Sequence, residues 1–383
     1  MSTTAAQGFR AAGVAAGLKS SGDPDVALVV NDGPQDAAAA VFTTNRFPAA
    51  PVVWSRQVLA TGRLRAVVLN SGGANACTGP EGFADTHATA EHTAAQLGLG
   101  AIDVAVASTG LIGMRLPMEK LTAGVTAAGK ALSAAGGPDA ARAIMTTDSV
   151  PKTAVAGGDG WTVGGMAKGA GMLAPSLATM LVVITTDAVV PAEVLQPALA
   201  TATGLSFERV DSDGCLSTND TVIVMANGAS GATPTAAEFT EALTAVCTDL
   251  AMQLLGDAEG STKDIAITVR NAASVQDALT AGRACARNNL LKTALFGNDP
   301  NWGRVLAAIG TTDAAFEADR VDVTINGVTV CRGGSIGDPR EGVDLTGRAI
   351  TIDVDLGAGG EQATIWTNDL SIAYVHENSA YST

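Results

Sequence analysis

The sequence predicts an α/β protein in which helices cover stacked, mixed β-sheets. Three observations point there. Short β-rich runs alternate with longer helical ones along the whole chain of 383 residues. Asn326-Gly327 joins Val321–Ile325 to Val328–Cys331 in the manner of a type I′ hairpin, which requires some antiparallel pairing. The third is composition: 47% hydrophobic residues with 16% charged and 4% aromatic supply a large interior of Ala, Val, Leu and Ile, and exclude disorder and coiled coil. At roughly 150 residues per domain, the length fits a few packing units or one large layered domain.

Taken in order, the strands are Val26–Val30, Ala66–Asn70, Val104–Ser108, Thr179–Thr185, Val222–Ala226, Ile265–Arg270 and Ile350–Leu356, each a compact apolar or β-branched run. The helices are Ala84–Leu97, Met118–Ala134, Ala192–Thr203, Ala236–Leu255 and Val275–Leu291. The fourth of these is the best defined, because Thr235 and Glu238 form a capping box and Phe239, Leu243, Val246, Leu250 and Leu254 then share one face. The first 22 residues lack acids and carry Arg10 and Lys19, but they hold no apolar stretch of the signal-peptide kind, so they read as a first strand and its lead-in. No internal repeat and no linker interrupts the pattern.

Charge narrows the function. With 23 Lys+Arg against 38 Asp+Glu the net charge is −15, which repels nucleic acid and anionic membrane in the absence of a basic patch, and none is visible. The apolar run Met180–Ile184 falls far short of the ~20 residues of a membrane span. Five cysteines, widely spaced and odd in number, fit a reducing cytoplasm better than a disulfide frame or a zinc site. His87, His92 and His376 are the only histidines, and the first two lie five residues apart, on different faces of a helix, so they are not a metal pair. There is no phosphate-binding glycine motif. Asp211-Ser212-Asp213-Gly214 departs from a calcium loop in its glycine position and in Val222 at the twelfth place. The expectation is an enzyme without metal or organic cofactor.

A hydroxyl nucleophile can dispense with histidine if a lysine, or an α-amine on its own residue, takes the proton. The segment Lys168–Ile184 runs from a Gly/Pro stretch into an apolar strand, with Ala178 directly before Thr179. Attack of the Thr179 hydroxyl on the Ala178 carbonyl, followed by ester hydrolysis, would expose an N-terminal threonine. An α-amine titrates near ~8, so a useful fraction is neutral at pH 7. β-Propensity alone also places threonine at strand starts, and this segment by itself does not decide between the two readings.

The wider sequence does. Asn70–Gly79, Ser108–Gly113, Met145–Asp148, Ser217–Thr221, Glu259–Lys263, Asp299–Arg304 and Glu377–Thr383, together with Ala178-Thr179-Met180-Leu181, resemble in order the blocks of the ornithine acetyltransferase family, also called the arginine-biosynthesis bifunctional glutamate N-acetyltransferases. Gly73 and Leu177 stand where that family usually has asparagine and methionine. The resemblance implies an α-β-β-α layered fold and self-cleavage between Ala178 and Thr179. The products are an α chain of residues 1–178 and a β chain of residues 179–383, which stay together in a cytoplasmic heterotetramer of two of each. It implies acetyl transfer from N-acetylornithine to glutamate through an acetyl ester on Thr179, and leaves open acetyl-CoA as a second donor. It assigns Thr109 and Gly110 to the oxyanion hole, and Thr146, Lys168, Thr179, Glu259, Asn378 and Thr383 to substrate binding.

These roles suit the residue types. A strand end at Ser108 can deliver a hydroxyl and a backbone N–H to an oxyanion, although a plain glycine turn has the same sequence. Lys168 offers a cation to a substrate carboxylate and Glu259 an anion to an ammonium, while Asn378 and Thr383 require the tail to fold back. Trp302 reads as a packing anchor, and Asn70–Gly79 as a backbone nest or a solvated turn. Two other functions share the sequence features: an amide hydrolase or aminopeptidase with the same nucleophile, and an uncleaved binding protein.

Overall fold

The computed structural model describes residues 2–174 and 180–380. It is built from three mixed sheets. The first is ordered β1-β2-β4-β5, from Phe9–Val14, Val26–Asn31, Ala66–Asn70 and Val104–Ser108, with β4 and β5 parallel and the rest antiparallel. The second is ordered β3-β9-β8-β7-β6, from Ala37–Phe42, Thr221–Ala226, Leu181–Thr186, Trp161–Lys168 and Lys152–Gly158, with β8 and β9 parallel. The third is ordered β13-β12-β11-β14-β10-β15, from Ser335–Ile336, Val328–Arg332, Asp322–Ile325, Ala349–Asp355, Asp264–Ala272 and Glu361–Asn368, with β10 and β14 parallel.

The first two sheets pack face to face. Val29, Val67 and Val106 of the first share one core with Met166, Val183 and Ile223 of the second. Helices α1 (Ala50–Leu59), α2 (Gly79–Leu97), α3 (Met118–Ala131) and α4 (Gly137–Ala143) flank the first sheet. Helices α5 (Ala192–Leu205) and α6 (Ala236–Gly256) close the far face of the second sheet, over Val163, Val182 and Val224. The result is the expected α-β-β-α sandwich, and strands buried on both faces are why β2, β4 and β8 read as continuous apolar runs. The third sheet builds its own core with α7 (Val275–Ala286), α8 (Asn289–Phe296) and α9 (Trp302–Ile309). Its other face is polar, and β14 shows the matching alternation of exposed and buried residues. Trp302 packs against this core, as expected of an anchor.

Several expectations shift at their edges. The helix expected over Val275–Leu291 is two, because the Asn288 side chain accepts from Leu291 N and starts α8. α2 begins at Gly79, with a proline in its first turn where the free N–H groups make it harmless. α3 ends at Ala131, as Ser133 pairs with Ala11 instead. β8 is described from Leu181 onward, and the expected first residue, Thr179, lies outside the described residues. The hairpin is as read, with φ of 44° at Asn326 and 84° at Gly327. No helix among the described residues is long and apolar enough to cross a membrane.

Candidate active site

The site forms where β4, β5 and β7 end. The loop after β4 runs beside the residues after β5: Thr109 N donates to Asn70 O (3.0 Å), Gly73 N to Thr109 O (3.0 Å) and Ala74 N to Leu111 O (3.1 Å). This close approach needs glycine at 110, where φ is +129° and a Cβ would sit 2.9 Å from the Gly73 backbone. With Thr109 N already committed, the Gly110 N–H meets no acceptor among the described residues. Asn70–Gly79 is therefore neither a solvated turn nor an open nest in its first half, because Asn70, Ser71, Ala74, Asn75 and Ala76 are buried. Asn219 ties this loop to the strand end, its Nδ2 donating to Ala74 O and Ser108 O at 2.7 Å each.

One cavity is lined by Thr109, Gly110, Thr146, Lys168, Glu259 and Asn378. Thus all six of the expected site residues that are described converge, from five separate stretches of sequence. Ala178, Thr179 and Thr383 lie outside the described residues. Ala74, Ile112, Thr147, Gly171, Met172, Ser217, Thr218 and Asn219 complete the wall. The chain enters β8 beside this cavity, since Leu181 is the register partner of Lys168 on β7 and of Thr221 on β9.

Lys168 is 2% exposed, so it is no surface lysine, and its Nζ lies 3.4 Å from Thr109 Oγ1. Burial pushes its amine down from the ordinary lysine range; Asp148, Glu259 and Asp220 act against that, and Lys152 adds to it. Asp148 is the organiser the sequence did not single out. Its Oδ1 accepts from Lys152 Nζ (2.6 Å) and Gly169 N (2.6 Å), and its Oδ2 accepts from Thr146 N (3.0 Å). Burial alone would raise the Asp148 carboxyl, but Lys168, Lys152 and these bonds pull it down to about 2. The signal was present as an acid closing the hydroxyl-rich run Met145-Thr146-Thr147-Asp148.

Asp220 behaves oppositely. It is fully buried, and its Oδ1 accepts from Met180 N (3.2 Å). Burial raises its carboxyl well above the ordinary carboxylate range, against the pull of Lys168 and of the Met180 N–H. Glu259 stands over Gly171, where a Cβ would fall 2.6 Å from Glu259 Oε2. Asn378 reaches the cavity on α10 (Ile372–Ala380), whose start is pinned by Ser371 Oγ donating to Gly260 O (2.5 Å) and accepting from Tyr374 N (2.9 Å). The tail does fold back, as Asn378 required.

Elsewhere the other candidates have ordinary partners. His92 Nε2 bonds Thr126 Oγ1 (2.9 Å), and His87 packs at a tilt against Trp54, with ring centroids 4.9 Å apart. Asp211 pairs with Arg287 (2.7 Å), while Asp213 accepts from Leu173 N and Cys215 N, so the segment is no calcium loop. No group of three or more His, Cys, Asp or Glu among the described residues could hold a metal.

The ArgJ family model matches residues 10–383. This chain belongs to the ArgJ family. It is 64% identical over 382 residues to the arginine biosynthesis bifunctional protein ArgJ of Streptomyces coelicolor, covering all of both chains. It is 60% identical over 389 residues to ArgJ of Mycobacterium tuberculosis, covering 99% of this chain and 96% of the relative. Among solved structures, it is 63% identical to the ornithine acetyltransferase of Mycobacterium tuberculosis complexed with ornithine, a match over 47% of this chain and 96% of that one, with a TM-score of 0.45. The family match spans both sandwich sheets and the third sheet, so the blocks that resembled ornithine acetyltransferases belong to one continuous ArgJ chain.

Proposed function

We propose that this ArgJ-family chain is a cytoplasmic acetyltransferase of arginine biosynthesis that carries the acetyl group of N-acetylornithine to glutamate through an acetyl ester on Thr179. The observation that carries this reading is the convergence of Thr109, Gly110, Thr146, Lys168, Glu259 and Asn378 on one cavity beside the start of β8. The chain first cuts itself between Ala178 and Thr179. The freed Thr179 amine takes the hydroxyl proton as the oxygen attacks the acetyl carbonyl, and the Thr109 hydroxyl and Gly110 N–H receive the oxyanion. Ornithine leaves with the proton. The glutamate amine then attacks the ester, N-acetylglutamate departs, and the hydroxyl is restored. Lys168 and Glu259 place a cation and an anion on opposite needs of an amino-acid substrate, whose charged ends Thr146, Asn378 and Thr383 help to hold.

The α and β chains assemble as a heterotetramer in this reading, and acetyl-CoA is the second donor to be tried. Incubation with N-acetylornithine, with and without glutamate, tests it. Ornithine release beyond one equivalent should require glutamate, and T179A should neither cleave nor transfer. Continuous ornithine release without glutamate would make the protein a hydrolase instead, and transfer by T179A would remove the nucleophile.

A further inference from the structure

Lys168 stands against the oxyanion side of the cavity. Its Nζ lies 3.4 Å from Thr109 Oγ1, and both residues are buried, at 2% and 3% exposure. An ammonium has three donors and no acceptor, so in this contact the hydroxyl oxygen can only accept. A threonine hydroxyl carries one proton, and a neighbouring cation turns that proton away from itself. The separation exceeds the roughly 2.7–2.9 Å of a short charge-assisted bond, so the effect is a charge orienting a dipole in weakly screening surroundings. The backbone N–H of Thr109 is occupied by Asn70 O, which leaves the hydroxyl and the Gly110 N–H as the donors this turn can offer the cavity.

We propose that Lys168 is a positioning residue of the oxyanion hole: its ammonium sets the Thr109 hydroxyl so that the proton faces the developing oxyanion before substrate arrives. This rests on the acetyl-transfer reading and goes beyond a carboxylate-binding lysine. Preorganisation of this kind matters because a free rotor would spend part of its time pointing elsewhere, and oxyanion donors act only if already aimed. Asp148 supports the arrangement, since its ionised carboxylate holds Gly169 N, the residue after Lys168, and favours the charged amine.

A donor without an α-carboxylate separates the two roles. Purified, cleaved protein is treated with p-nitrophenyl acetate; p-nitrophenolate release is followed, and acetyl on the Thr179 peptide is read by mass, per cleaved chain. In the wild type, absence of acetyl from Thr179 would defeat the acetyl-transfer reading itself. Given that acetylation, K168M should slow it about 10-fold and T109A about 100-fold, within the range for losing an oxyanion donor. The double variant should be no slower than T109A alone. K168R, which restores a cation, should recover part of the K168M loss. An unchanged rate in K168M, or factors that multiply in the double variant, would overturn the proposal and leave Lys168 as a binding residue. K168Q takes the place of K168M if methionine prevents maturation. Failure of both to mature, with wild-type circular dichroism or without it, would likewise overturn it, because Lys168 would then act before the oxyanion hole does.

Discussion

Asp148 and Asp220 are both buried aspartates next to the same cavity, yet their carboxyls shift in opposite directions. Asp148 faces three donors and is pulled down to about 2 from an ordinary 3.8. A depressed folded pKa stabilises the protein above the unfolded value, and that stability is lost as pH falls through the folded one. Its share, about 2 kcal/mol, should therefore be present at neutral pH and vanish between about pH 4 and pH 2. D148N cannot accept all three donors, and urea unfolding at pH 7 should show a loss of about 3–5 kcal/mol. An unchanged midpoint would mean the network contributes nothing. Asp220 is raised by burial, so its contribution runs the other way, full below the unfolded pKa and lost as pH rises. D220N should accordingly melt above the wild type at pH 8, with the gap closing towards about pH 4. A D220N protein less stable at pH 8 would show that the carboxyl is ionised and paired.

At the scale of elements, the sequence was most legible where physics is local. The capping box at Thr235 and Glu238 is present, Ala66–Asn70 and Val104–Ser108 match β4 and β5 residue for residue, and the Asn326-Gly327 turn has the positive φ values it needs. The strands that went unread owe their form to tertiary contacts. β3 is mostly alanine, and β7 carries Gly164-Gly165, which propensity alone argues against. Gly164 is there because a Cβ would lie 2.3 Å from Ser2 O, and Gly165 because α6 packs on it. The six described site residues were legible through resemblance, whereas Asp148 and Asp220 fall inside matching blocks without their roles being readable there, because those roles depend on which donors the fold brings to them. α10 shows the same dependence. Gly260 has φ of +60°, and a Cβ there would meet Tyr374 N at 2.2 Å, against backbone that cannot swing aside. G260A should unseat the helix that carries Asn378 and raise KM for N-acetylornithine about 10-fold, the equivalent of one hydrogen bond, while self-cleavage continues. Wild-type KM in G260A would show that the tail plays no part in binding.

For the whole molecule, the proposed cut falls inside a sheet rather than between domains. β3, β6 and β7 come before residue 178 and β8 and β9 after it, yet the order is β3-β9-β8-β7-β6. β7 pairs with β8 from Val163↔Thr186 to Lys168↔Leu181, and β3 pairs with β9 along its full length. Separating residues 1–178 from residues 179–383 would tear two antiparallel ladders and the core shared by the first two sheets. The fragments should therefore co-elute under native conditions and part only in denaturant. Dissociation in plain buffer would contradict that packing. The composition gave no hint of this interleaving, since no linker marks the boundary.

The claim on which the account turns is that Thr179 becomes a chain terminus and carries the acetyl group. Intact-mass measurement of freshly purified, active protein tests it most directly, before and after N-acetylornithine and again after glutamate. Two chains should be seen, the second beginning at Thr179, gaining one acetyl group with the first substrate and losing it with the second. An active preparation that shows a single chain with Ala178 still joined to Thr179 would contradict it.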